Sequence, residues 1–231
     1  MLRLATFYSD GPQAVRDPAS ALAWSKRAAD AGASGGAFNT GLAYDDGIGV
    51  AIDKAEAARW YRIAADRGHA PAMINLAALL LAGPDADRAA AAASAATLVR
   101  RAADAGSIDG LFDMGHLSES GTGVAKDMAE AQRWYRLAAD RKDSRAMLRL
   151  GVYLADRETP RRDPAEALRL LRIAADAHIP LAALRIGVMY AEGDGVPKSD
   201  AEAIRWLRTD TRLRGVGAFQ RVAQFTEVPG E

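Results

Sequence analysis

The triplet Ala-Ala-Asp begins at residues 28, 64, 102, 138 and 174 of this 231-residue chain, in steps of 36, 38, 36 and 36. A second marker, a small residue, recurs upstream of each triplet: Ala5, Gly41, Ala77, Gly115, Gly151 and Gly187, in steps of 36, 36, 38, 36 and 36. Both series place a two-residue insertion between Gly83 and Leu98. A fixed period of this size restricts the chain to stacked copies of one supersecondary unit, each burying the apolar face of its neighbour. The copies run over about 1–34, 35–70, 71–108, 109–144, 145–180 and 181–211.

Each copy reads as two helices. Around the marker Gly151, small or apolar residues recur five before, one before, at the marker and three after. At 100° per residue they fall within an arc of roughly 140°, one face of a helix. A turn follows, and then a helix start. Asp53…Glu56, Asp127…Glu130, Asp163…Glu166 and Ser199…Glu202 have the spacing of a capping box. Pro18 and Pro164 occupy the first helical position. Gly32, Gly68 and Gly106 are placed to close the second helix. Trp24, Trp60, Trp134 and Trp206 share one register position, where the other copies have Leu98 and Leu170. That exchange predicts an interior position for the tryptophans.

The pairs Gly47-Ile48-Gly49, Gly121-Thr122-Gly123 and Gly193-Asp194-Gly195 recur between two helical patterns. A dinucleotide fingerprint would instead follow a strand and occur once. These glycines are turns.

The recurring string A…LG..Y..G.GV..D...A..WY..AAD.G resembles the Sel1-like repeat, a relative of the tetratricopeptide repeat. Residues 36–69 match almost throughout, and 110–143 and 182–208 match well. The copy holding Leu150-Gly151 has Arg157-Glu158-Thr159-Pro160 in place of the glycine turn, and the copy from Arg88 has an alanine-rich second helix. The resemblance implies an all-α fold, an α/α solenoid wound as a right-handed superhelix, that binds other proteins. Many bacterial members act in signalling or in the cell envelope. Cysteine-rich members link the two helices of a repeat by a disulfide; this chain has no cysteine.

Composition narrows the function classes. Thirty basic and 30 acidic residues balance, so there is no basic field for nucleic acid. The apolar run from Leu76 is too short to span a bilayer, and no membrane insertion is expected. The N-terminal stretch MLRLATFYSDG has no apolar signal core. The chain as it stands is expected in the cytoplasm, or in the periplasm if a leader has been removed. His69, His116 and His178 have no second ligand at metal spacing, and no serine lies in a nucleophile elbow. No cofactor, metal or catalytic group is expected. An enzyme of cell-wall or β-lactam chemistry would need a constellation that breaks the repeat symmetry. The alternative to a binding scaffold is a structural element of a secretion or polysaccharide-export complex, acting through its ends.

Two further rows bear on function. Lys26, Arg62, Arg100, Arg136 and Arg172 precede by four residues Asp30, Asp66, Asp104, Asp140 and Asp176, a spacing for surface ion pairs. On the first helices, the arc opposite the core carries an apolar row three before the marker: Leu2, Phe38, Ile74, Phe112, Leu148 and Leu184. Five after the marker stand Asp10, Asp46, Asp156 and Glu192, and one after it His116. Acids at a helix C-terminus oppose its dipole, so they invite a reason other than helix stability. In tetratricopeptide-like arrays the first helices line the concave surface. The expected partner is therefore a protein or peptide with apolar anchors for Phe38, Ile74, Phe112, Leu148 and Leu184, and basic residues for Asp46, Asp156 and Glu192. The alternative is that the apolar row packs between repeats while the acids solvate the turns. The segment 212–231 is expected to form a capping helix and tail. Leu2, Leu4 and Phe7 lie near an uncapped end, which suggests a homodimer through that repeat.

Overall fold

The computed structural model describes residues 1–10, 16–83, 88–179 and 181–209. The expected capping helix at 212–231 lies outside the described residues. Twelve helices and no strand occur among those described. The first helices of the six repeats are α1 (Leu2–Asp10), α3 (Ser34–Asp46), α5 (Ala70–Ala82), α7 (Ile108–Ser120), α9 (Ser144–Ala155) and α11 (Ala182–Glu192). The second helices are α2 (Pro18–Asp30), α4 (Lys54–Asp66), α6 (Arg88–Asp104), α8 (Met128–Asp140), α10 (Pro164–Asp176) and α12 (Asp200–Thr209). The chain divides into two compact units, Met1–Ala131 and the part from Gln132 onward. From α1 to α7 in the first, and from α9 to α12 in the second, each helix packs on the next in sequence, as in an all-α solenoid.

The second helices start where the sequence predicts, with one arm of the capping box replaced. The Asp53 carboxylate accepts from Glu56 N–H at 2.9 Å, Asp127 from Glu130 N–H at 3.0 Å and Asp163 from Glu166 N–H at 3.0 Å. The Glu56 and Glu166 side chains do not reach back. Glu56 takes the Trp60 indole N–H at 3.0 Å and Arg59 at 2.8 Å, and Glu166 takes Arg169. The cap N–H has another acceptor. Asp17, Asp53, Asp127, Asp163 and Ser199 each donate it to the carbonyl of Tyr8, Tyr44, Ser118, Leu154 or Tyr190, at 2.9–3.0 Å. The acceptor is three residues after the marker, and the donor nine residues beyond it in every case (8 to 17, 44 to 53, 118 to 127, 154 to 163, 190 to 199). This bond ties the two helices of a repeat at the turn.

The small marker is explained by what faces it. A Cβ on Gly41 would lie 2.5 Å from the Tyr61 ring, one on Gly151 2.7 Å from Leu171, and one on Gly187 2.8 Å from Leu207. These knobs belong to one row on the second helices: Ser25, Tyr61, Val99, Tyr135, Leu171 and Leu207, every one buried. The row is the residue after the tryptophans. Trp24, Trp60, Trp134 and Trp206 are half-buried, contrary to the interior place expected of them. One residue is 100° of helix rotation, which puts the tryptophan on the flank and its neighbour in the core. The indole suits a flank: Trp60 packs against the cluster around Tyr61 and Leu76 while its N–H stays on Glu56, and Arg27 lies over the Trp24 ring at 4.3 Å.

Successive repeats are tied by backbone approach. The second turn glycine sits on the start of the preceding second helix, so that a Cβ on Gly49, Gly123 or Gly195 would overlap Pro18, Ala92 or Pro164. Arg67 and Arg101 reach back to the carbonyls of Ala29 and Ala65, at 2.9 and 3.0 Å, near the ends of the preceding second helices. Gly32, Gly68 and Gly106 close their helices at φ of +91°, +80° and +88°; Lys142 and His178 take the same place at +67° and +57°. Two rungs of the aspartate ladder give way to tyrosines: Lys26 and Arg172 donate to the Tyr44 and Tyr190 hydroxyls on the next first helix, each at 2.8 Å.

Candidate partner-binding face

The first helices carry every candidate binding residue except Asp156, which follows the end of α9. Their apolar row is half-buried at Phe38, Ile74, Phe112, Leu148 and Leu184, and exposed at Leu2. Phe38 stacks on His69 with ring centroids 4.6 Å apart and leans on Tyr61 at 5.9 Å. Ile74 packs against the buried cluster of Ala65, Met73 and Ala102. In these two cases much of the side chain is spent on repeat packing. His69 Nδ1 accepts the Ala72 N–H at 3.3 Å and so caps α5. Burial of the imidazole lowers its pKa.

Asp46, His116, Asp156 and Glu192 are exposed. Glu192 is not free for a partner, because Arg157 holds it at 3.0 Å. Arg157 also reaches Asp194, and Arg162 pairs with the same carboxylate. The irregular segment after α9, which replaces the glycine turn, thus clasps the turn of the next repeat. Asp156 accepts the Glu158 N–H at 3.0 Å. Asp45, beside Asp46, is bound into a polar chain: Asn75 donates to the Tyr61 hydroxyl at 3.2 Å, Tyr61 to Asp45 at 3.0 Å, and Lys54 to Asp45 at 2.6 Å. Burial pushes the Tyr61 phenol above its ordinary pKa; the Asn75 bond opposes the shift and Asp45 adds to it. The phenol is therefore a fixed donor that holds α3, α4 and α5 together.

Two clefts open between successive first helices, one in each unit. The first is lined by Thr6 and Ser9 of α1, Asn39, Leu42 and Ala43 of α3, and Ile48 of the turn, over a base from α2. The second is lined by Val152 and Ala155 of α9, Arg185, Val188, Met189 and Glu192 of α11, and Asp194 of the turn. Counted from the markers Ala5, Gly41, Gly151 and Gly187, the registers coincide: one and four after on the first helix, two before and one and two after on the second, and seven after in the turn. His116 belongs to the same row as Leu42 and Val188. The sequence reading passed over the row two before the marker, Arg3, Asn39, Asn75, Asp113, Arg149 and Arg185. Its signal was six polar residues of six beside a row wholly apolar.

Among the described residues no cluster of three or more His, Asp or Glu side chains is placed to hold a metal, and no helix is long and apolar enough to cross a membrane.

The same architecture is found in solved structures. The chain is similar to a protective antigen present in uropathogenic Escherichia coli strains, with TM-score 0.86 and 25% identity over 96% of this chain. It spans 48% of that protein. It is also similar to a Sel1 repeat protein from Oxalobacter formigenes, with TM-score 0.77 and 31% identity over 91% of this chain and 85% of the other. A putative Sel1 repeat protein of Klebsiella pneumoniae, 19% identical, shares the fold, with TM-score 0.53 over 91% of this chain and 100% of the other. No curated protein matches the chain. The Sel1 repeat model matches six successive stretches, 1–32, 34–69, 70–107, 108–143, 144–178 and 180–209. With the marker, the knob and the tied turn repeating through those stretches, the chain belongs to the Sel1 repeat family.

Proposed function

We propose that this chain is a non-enzymatic scaffold that holds a peptide or protein partner on the face of its first helices, in bacterial signalling or cell-envelope assembly. Sel1 repeat proteins generally mediate protein–protein interactions. The observation that carries the proposal is the pair of clefts in one register, between α1 and α3 and between α9 and α11. A cleft that the repeat itself generates, present in each unit, suits a peptide segment of a partner. Partner side chains enter beside His116, Leu42 and Val188, while Phe38 and Ile74 support the face from beneath.

The test is capture of the partner by the full chain, followed by cross-linking and mass spectrometry. Cross-links should fall on α1, α3, α7, α9 and α11. His116→Glu with Val188→Lys, both on the outer arc, should weaken binding about tenfold or more if they meet buried anchors. Cross-links confined to the second helices, with binding unchanged in the double variant, would remove the site from this face.

A second reading has its own observation. Met1 and, on α1, Leu2, Leu4 and Phe7 are exposed by 38–55%. An array that works through its ends, or pairs as a homodimer through the first repeat, uses that surface. Cross-links concentrated on α1 would favour it.

A further inference from the structure

The two clefts share a register but not a chemistry. Around the α1–α3 cleft the polar side chains are the neutral Thr6, Ser9, Ser25 and Asn39. The α9–α11 cleft is charged at both ends of an apolar middle. Val152, Ala155, Val188 and Met189 make the middle, Arg185 marks one end of α11, and Glu192 closes the other, beside Asp156 and Glu158. Arg185 and Glu192 stand seven residues apart on α11, about 10 Å along the axis.

The charges differ in how they are used. Arg157 neutralises Glu192 and reaches Asp194. Arg185, Asp156 and Glu158 are exposed, and among the described residues none of them has an ion-pair partner. Neither Arg185 nor Asp156 is placed to favour the helix beside it. Arg185 sits in the first turn of α11, against the positive end of the helix dipole, and Asp156 follows the last turn of α9, against the negative end. Charges placed against the dipole, left unpaired, and set at opposite ends of an apolar cleft are complementary to a ligand with the reverse polarity.

We infer that the α9–α11 cleft takes a peptide segment in which an acidic and a basic residue flank an apolar one, the acid on Arg185, the apolar side chain between Val152 and Val188, and the base on Asp156 and Glu158. An extended peptide covers the span in about three residues. This inference rests on the scaffold reading above and adds the chemistry of one subsite.

A random-peptide library displayed on phage is selected on the full-length chain and on Arg185→Glu. Arg62→Glu, an exposed change on α4, is the control. Selection on the wild-type chain should enrich an acidic and a basic residue about three positions apart around an apolar residue. Arg185→Glu should lose the acidic preference, and a wild-type-selected peptide should bind it about tenfold more weakly. Arg62→Glu should change neither. Binders that lack the charge pattern, or that bind Arg185→Glu as tightly, would overturn the subsite and leave the scaffold reading standing. A selection that enriches no peptide at all would count against both.

Discussion

The placement of the knob one residue past the tryptophan can be tested by replacing each of two neighbours, Trp60 and Tyr61. Tyr61 is fully buried, its ring lies against Gly41, and its hydroxyl joins Asn75 to Asp45. Tyr61→Ala removes a core aromatic, a change that costs ~3–5 kcal/mol. It also strips a hydrogen bond from Asn75 and from Asp45, adding ~1 kcal/mol. The expected loss is thus ~4–6 kcal/mol, against a typical domain stability of ~5–15 kcal/mol. Trp60 is half-buried, so Trp60→Ala returns ~100 Å² of apolar surface to water, worth ~2.5 kcal/mol. Its N–H bond to the part-exposed Glu56 adds little. Tyr61→Phe, which keeps the ring, should cost ~1–1.5 kcal/mol. Urea melts followed by far-ultraviolet circular dichroism give the order: Tyr61→Ala the most damaging, Trp60→Ala about half as damaging, Tyr61→Phe least. Because a solenoid can unfold in parts, the midpoints are compared only where the transition slopes agree. A Trp60→Ala loss equal to or above that of Tyr61→Ala would refute the assignment and return the tryptophan to the core.

Lys142→Gly and His178→Gly should each stabilise the chain by ~1 kcal/mol, since both residues hold the left-handed backbone that glycine adopts at Gly68, and Gly68→Ala should cost a similar amount; thermal melts decide the signs. Gly123→Ala should cost more, ~2 kcal/mol or above, because the added Cβ meets the Ala92 carbonyl as well as a positive φ, and melting temperatures of the two alanine variants check the order. His69 has its pKa lowered by burial, so on acidification the unfolded chain takes up the proton first; its contribution to stability is full above about pH 6.5 and is lost as pH falls through the folded value. His69→Ser keeps a capping oxygen and should flatten that part of the pH dependence in urea melts; an unchanged profile would remove His69 from its cause.

The repeat, the helix pairs and their start signals were legible because they depend on spacing, and spacing survives in a single sequence. The choice between Trp60 and Tyr61 was not, since both are aromatic and their directions differ by only 100°. A clue was nevertheless present. The marker and the knob compensate in size: Gly41 goes with Tyr61, Gly151 with Leu171 and Gly187 with Leu207, while the alanines Ala5 and Ala77 stand in register with the smaller Ser25 and Val99. At two rungs the ion-pair ladder failed for a different reason. Lys26 and Arg172 lie beside tyrosines of the following helix, and a pattern within one helix carries no information about that neighbour. On the proposed binding face, Phe38 and Asp46 lie on α3, a first helix, as their register predicts. The pairing of Glu192 was hidden, because it depends on Arg157 of the irregular segment crossing to another repeat.

The bond from each cap N–H to a carbonyl nine residues earlier has a consequence for how such arrays diversify. It involves backbone atoms alone, and it forms around Gly47-Ile48-Gly49 and around Asp156–Arg162 alike. In these five repeats, then, the identity of the connecting residues is nearly decoupled from the bond that closes the turn, while their number is constant. Turns under that rule behave as interchangeable inserts. Mutation can rewrite one into a charged clasp, and an engineer can graft a recognition loop of the same length, with the register of every neighbouring repeat left intact.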